Sequence, residues 1–414
     1  MNLCIDEARL SRELEILGAI SESPPPVTTR VLFTEADLRG REFVKQLCRD
    51  AGLTTREDAV GNTFARWLGK DPDLPAVGTG SHIDAIPNAG RYDGTVGVLG
   101  GLEAIRALAR GNFRPRRSIE LVIFTSEEPT RFGIGCLGSR LLSGLLEASA
   151  AEHLKDRSGT SLDQARLQAG FAGPLSGVRL RDGYYSAFVE LHIEQGPILE
   201  ARQIEIGVVT AIAAPASLRI WIEGEGGHAG AVLMPDRHDA FLAAAEIALG
   251  VESAARSTGA MDTVGTVGVC DVFPGAVNSI PNRVRIEADV RDIDQARRDD
   301  VLRKIAETCD QVATRRGVQI RIEPLNADPP AQCAPAVVDV LIQACDACGF
   351  RYMRMISRAY HDSLFISRIA PTAMLFIPCR SGFSHRPDEY ASPEAIGQGT
   401  LVLAEALASL AGAA

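Results

Sequence analysis

His82, Asp93, Glu127, Glu128, His192 and His385 are residues of the kinds that hold and use divalent cations. Imidazole nitrogen and carboxylate oxygen suit zinc- and manganese-like ions, and paired ions of this type drive hydrolysis by activating water. Though scattered along the chain, each follows shortly after a short apolar run. In Ser81-His82-Ile83-Asp84, Asp84 is placed to accept the proton on the second ring nitrogen of the imidazole, a support that metal-bound histidines usually have. The adjacent pair Glu127-Glu128 can divide its work, because extended chain points neighbours to opposite sides. One carboxylate binds metal while the other takes a proton from water and returns it to a leaving nitrogen. His192 is followed closely by Glu194 and Gln195, and His385 sits on a glycine-bearing loop.

Each segment alone has a plainer reading: a polar loop, a surface acidic pair, a satisfied core histidine. Their shared position after apolar runs favours the chemical one. Those runs (76–81, 119–124, 187–191 and 373–378) look like buried parallel strands, and ligands in open α/β sheets bind outside the carboxyl ends of such strands. Gly224-Glu225-Gly226-Gly227-His228-Ala229-Gly230 matches neither GxGxxG nor GxxxxGK, so phosphate binding is not expected there. His228, on a turn made permissive by glycine, is placed to donate a hydrogen bond to a developing oxyanion.

The elements that must position these groups follow from periodicity. Residues 1–211 alternate strand and helix, with Val98, Leu102 and Ile105 marking a helix after the first ligand segment and short helices and loops over 150–187. From 212 to 326 the order becomes β-α-β-β-α-β, the ferredoxin-like arrangement. Asp328-Pro329-Pro330 marks a linker, after which 327–414 returns to the first sheet. The expected architecture is a catalytic α/β domain (1–211 and 327–414) interrupted by a smaller inserted domain (212–326).

A chain of 414 residues exceeds the usual single core, in keeping with two domains. The net charge of −10 argues against a nucleic-acid surface, and no stretch is apolar for long enough to cross a bilayer. The first residues resemble neither a secretory signal nor a transit peptide, and nine irregularly spaced cysteines fit free thiols in a reducing compartment, so a cytoplasmic location is expected. Cys345-Asp346-Ala347-Cys348 lies in a helical apolar pattern with no second pair to complete a zinc site, so it reads as core helix.

Segments 81–87, 92–94, 124–132, 190–197 and 227–230 together resemble the amidase/hydantoinase–carbamoylase family, and the likeness extends from about residue 28 to the end. The resemblance implies an aminoacylase-type two-domain metallohydrolase whose inserted domain serves as lid and dimerisation surface. It implies that His82, Asp93 and His192 hold one metal, that Asp93, Glu128 and His385 hold a second, and that Glu127 is the general base and acid. Manganese is the family's usual ion for ureide substrates, and zinc occurs in relatives. His228, Asn278 and Arg291 correspond to substrate contacts of the inserted domain, His228 serving either its own site or the partner's, while Gln195, Tyr360 and His361 complete the pocket. Segments 210–217, 356–365 and 376–379 are similar to the branch that hydrolyses ureidoglycolate to glyoxylate, ammonia and carbon dioxide in ureide catabolism. A phenol at Tyr360 suits a substrate with an α-hydroxyl. N-carbamoyl-L-amino acid hydrolysis, allantoate hydrolysis, an aminoacylase-type deacylase or peptidase and a non-catalytic ligand binder are the other readings; the last would lack a ligand or the base, and none is missing.

Overall fold

Ala76–His82, Ile119–Phe124, Tyr185–Ile193 and Thr372–Ile377 are mostly apolar strands, buried along nearly their whole length, as strands covered on both faces require. In the computed structural model, which describes residues 3–414, they lie side by side and parallel in the order Thr372–Ile377, Tyr185–Ile193, Ala76–His82, Ile119–Phe124. Antiparallel strands extend this mixed α/β sheet: Thr63–Trp67 and Thr54–Glu57 beyond one edge, Ile206–Ile212 beyond the other. Register decides what meets at the carboxyl ends. His82 is level with Phe124, Thr79 with Val189, and Phe376 with His192. The same edge of the sheet therefore carries His82, His192 and, three residues past Phe124, the glutamate pair.

Helices Thr95–Arg110, Pro335–Cys348 and Pro393–Ala411 pack against one another and cover one face. Val98, Leu102 and Ile105 are fully buried under the first of them. Leu137, Leu141 and Leu142 of helix Leu137–Ser143 join Phe124, Phe188 and Ile366 in the core on the other face. Mid-strand glycine is normally a loss, but Gly80 has φ +148° and a Cβ there would lie 2.0 Å from the carbonyl oxygen of Val122. Only glycine lets these two strands pair.

The chain divides into two compact units. One takes the chain up to Thr210 and adds Cys333–Ser357 and His361–Ala414; the other is Ala211–Gln332 with the short segment Arg358–Tyr360. The second unit is an antiparallel sheet in the order Val264–Phe273, Arg283–Asp292, Ala214–Glu223, Gln319–Ala327, with helices Ala240–Arg256 and Gln295–Arg316. Along Arg283–Asp292 alternate residues are buried, and Val284, Ile286, Ala288 and Val290 share a core with Ile247, Val301 and Ile305 of the helices. This unit ends six residues later than the expected domain, because Ala331–Gln332 still pairs with the end of strand Ile206–Ile212.

Cys345 and Cys348 close helix Pro335–Cys348, the first of them buried, and all nine thiols are free. Among the described residues no helix is long and apolar enough to cross a membrane.

Candidate metal centre

Asp93 is the hub. It follows the ribbon strand Ala85–Ala89 and precedes Gly94, whose φ of +67° starts helix Thr95–Arg110 and whose missing Cβ leaves room for the His82 ring. Oδ1 of Asp93 lies 3.4 Å from Nε2 of His82 and 3.2 Å from Nε2 of His192. Oδ2 lies 3.2 Å from Nε2 of His385, which is itself 3.1 Å from Oε1 of Glu128. The ligand atoms of His82, Asp93 and His192 fall within 4.8 Å of one another, as do those of Asp93, Glu128 and His385. Two overlapping triads thus share one carboxylate, an oxygen toward each.

The tautomers are set from behind. Nδ1 of His82 faces the carbonyl oxygen of Asp84 at 3.0 Å and Nδ1 of His192 that of Ile193 at 2.9 Å, so each ring donates from Nδ1 and turns Nε2 toward Asp93. This corrects one sequence expectation. The Asp84 carboxylate is 3.6 Å from the His82 ring and is engaged elsewhere, accepting the backbone N–H of Glu127 (3.2 Å) and of Glu128 (3.1 Å). Two amide donors from one strand end satisfy it better than one imidazole, and the main-chain oxygen takes the ring proton. Asp84 therefore positions the glutamate pair.

Burial and mutual charge fix the electrostatics. Burial alone would push Asp93 up, but the imidazoles of His192, His385 and His82 against its oxygens hold it well below the usual carboxylate range. Burial opposes charge on His82, yet Glu127, Asp84 and Asp93 raise it well above an ordinary imidazole. His385, half exposed, is pushed up to about 11 by Asp93 and Glu128. Burial drives Glu127 well above its normal value, and the nearby charges of Glu128, Asp362 and Asp93 add to it. A buried carboxylic group that prefers to hold a proton is the profile of a general base awaiting cations.

Three supports carried no clear signal in the sequence. Glu389 accepts the backbone N–H of Tyr92 (2.8 Å) and of Asp93 (3.1 Å), tying the Asp93 turn to the loop that carries His385. Burial and the Asp93 charge push it up to about 7. Ser384 bonds Oδ2 of Asp93 at 2.8 Å. Glu190 accepts from Ser81 Oγ at 2.8 Å and Ser363 N at 3.1 Å, behind the strands that carry His82 and His192. An acid four residues after His385 was the available hint for Glu389.

Other expected site residues fall as follows. Gln195 donates to Oδ2 of Asp93 at 2.8 Å, and its Oε1 is buried without a hydrogen-bond partner. His361 is fully buried, its ring 4.5 Å from that of His192 and its Nε2 3.0 Å from Ser357 Oγ. In the second unit, Gly227–His228 pairs with Ser279–Ile280, and the carbonyl of Asn278 accepts from Ala229, so His228 and Asn278 share one ribbon. Arg291 donates to Asp289 at 2.7 Å and to the carbonyl of Arg358 at 3.3 Å. Tyr360, half-buried, lies in the Arg358–Tyr360 segment of that unit.

The donor set suits divalent cations. Nε2 of His82 is buried with no hydrogen-bond partner, an orphan that a cation would satisfy. The mixture is imidazole and carboxylate, with no thiolate among the clustered ligands.

The model of peptidase family M20/M25/M40 matches residues 78–409. Ureidoglycolate hydrolase of Arabidopsis thaliana is 53% identical over 418 residues, 99% of this chain and 87% of the relative. The crystal structure of AtUAH in complex with (S)-hydroxyglycine has a TM-score of 0.88 at 52% identity, covering 99% of this chain and 98% of that one. An amidase of the hydantoinase/carbamoylase family from Burkholderia multivorans has a TM-score of 0.90 at 34% identity, covering 99% of both chains. The chain belongs to peptidase family M20/M25/M40, among the amidases of the hydantoinase/carbamoylase kind.

Proposed function

We propose that this chain is a metal-dependent amidohydrolase that cleaves the ureido C–N bond of ureidoglycolate. The observation that carries the reaction class is the pair of triads sharing Asp93 with Glu127 beside them. The choice of substrate is supported by the 53% identity to a ureidoglycolate hydrolase, against 34% for the carbamoylase-type amidase.

His82, Asp93 and His192 would hold one divalent ion and Asp93, Glu128 and His385 another; two ions, most suitably manganese with zinc as the other choice, would acidify water and polarise the ureido carbonyl. Glu127 takes the proton of the attacking water and returns it to the departing nitrogen, so ammonia leaves. The remaining carbamate loses carbon dioxide, and hydroxyglycine then breaks down to glyoxylate and a second ammonia. Gly230 N–H donates to Nδ1 of His228 at 3.1 Å, which leaves the ring proton on Nε2, the donor needed for the carbonyl oxygen as it gains charge. Arg291 would clamp the substrate carboxylate, and Asn278, Gln195, Tyr360 and His361 would complete recognition.

We further propose a homodimer formed through the second unit, acting there as lid, with His228 serving the partner's centre. Val264–Phe273 supports this: it is an edge strand free of proline and lysine, beside helix Ala240–Arg256, which exposes Phe241, Leu242 and Leu249. Nine free thiols support a reducing, cytoplasmic setting.

Ammonia release from ureidoglycolate, allantoate and a set of N-carbamoyl-L-amino acids, with manganese added, tests the substrate. Ureidoglycolate should give ammonia and glyoxylate in a two-to-one ratio; faster turnover of another member overturns the choice. Glu127→Gln should abolish turnover with metal content intact, and activity within about tenfold of wild type would refute its role.

A further inference from the structure

Glu127 stands among acids. Among the described residues, the side chain that donates a hydrogen bond to its carboxylate is Cys136, with Sγ 3.5 Å from Oε1. That thiol is completely buried. Its backbone is left-handed, φ 54° and ψ 35°, a conformation that residues with side chains seldom adopt and that surroundings must enforce. The enforcement is visible: the N–H groups of Cys136, Leu137 and Gly138 donate in turn to the carbonyls of Glu127, Ser126 and Thr125, at 2.8, 2.9 and 2.8 Å. The thiol cannot drift from the carboxylate without breaking this ladder. Oε2, the other oxygen of Glu127, lies 3.7 Å from Nε2 of His82.

We propose that Cys136 is a positioning residue for the general base: its S–H donates to Oε1 of Glu127 and so keeps Oε2 turned toward His82 and the candidate metal ligands. The inference rests on reading Glu127 as the base. Sulfur is a weak donor, so it fixes orientation while leaving the carboxylate free to accept a proton. A cation in the same seat would hold Glu127 as an anion and blunt it.

Wild type, Cys136→Ala and Cys136→Ser are compared with manganese and ureidoglycolate. Alanine should lower kcat about three- to tenfold, the range a single lost hydrogen bond gives, with KM and metal content unchanged. Serine, still a donor, should recover at least half of the loss. A second arm needs no turnover: the infrared S–H stretch of Cys136, isolated as the difference from either variant, should shift in Glu127→Gln. The proposal is overturned if alanine leaves kcat within about 1.5-fold of wild type, if kcat falls only together with metal content, or if the S–H band ignores Glu127→Gln. A wild type that does not turn over ureidoglycolate sinks the substrate reading instead, and the infrared arm still decides the contact. Should the alanine variant fail to fold, the serine variant supplies the difference spectrum.

Discussion

Binding of metal to this centre should release protons from the imidazoles of His82, His192 and His385. The metal-free cluster holds His385 as a cation, pushed up to about 11 by Asp93 and Glu128, and raises His82 and His192 above the ordinary imidazole range. Asp93 is already ionised and contributes no proton. A ligand imidazole must offer a lone pair, so each cation displaces the protons of the rings it meets. Because the His385 ring is half exposed, solvent screens its pairs, and the proton count, not the pair energy, sets the pH dependence. The metal-free form binds more protons than the loaded one, so affinity rises with pH and falls on acidification. One proton, that of His385, means about a tenfold change in the Kd of its ion per pH unit, and so about a thousandfold between pH 6 and 9; an ion between His82 and His192 meets two rings and should depend on pH more steeply. Chelator competition at constant ionic strength measures that slope. Calorimetry in two buffers of different ionisation enthalpy counts the protons directly, and His385→Ala should remove one from the total. A Kd constant within about threefold over this range, with no proton release, would refute the charge assignment of the whole cluster.

Three further outcomes follow from individual contacts. If His228 serves the partner's centre, co-expressing Glu127→Gln with His228→Ala gives half mixed dimers with one complete site each, so activity should return to about a quarter of wild type; no recovery would place His228 within its own chain's site. Asp84→Asn keeps the shape but can accept only one of the two N–H groups of Glu127 and Glu128, so metal affinity or kcat should drop about 10- to 100-fold in titration and rate assays. Gly80→Ala would force a Cβ to within 2.0 Å of the Val122 carbonyl at φ +148°, and thermal melts should show destabilisation of at least about 1–3 kcal/mol.

The convergence of the candidate ligands was legible in the sequence because buried parallel strands show as short, mostly apolar runs, and their carboxyl ends are where side chains can meet. Helix Gln295–Arg316 carries local signals at both ends, Asp294 capping its start and Gly317 its end. What stayed hidden depends on distances between segments far apart in the chain. Nothing local says that the carboxylate of Asp84 turns away from its neighbouring histidine, or that Glu389 reaches back to two amides of the Asp93 turn. Cys136 was equally silent, because its role depends on a left-handed backbone that sequence spacing does not encode.

These supports have a common logic. Asp84, Asp93, Glu127, Glu128, Glu190, Asp362 and Glu389 are all buried near the four imidazoles of His82, His192, His361 and His385, so acid outnumbers base in a region largely shielded from water. Like charges in such a place resist ionisation, and burial indeed raises Glu127, Glu128, Asp362 and Glu389 alike. Some of this excess is absorbed by main-chain N–H groups, which Asp84, Glu190 and Glu389 collect. Among the described residues, the side chain that donates a hydrogen bond to Glu127 is a thiol, and Glu128 has a partly exposed imidazole, so the uncompensated charge concentrates on the glutamate pair. Divalent cations are the species that would offset it there. A pocket whose supports are neutralised from behind and whose ligands are not is selective for cations before any ligand geometry is considered.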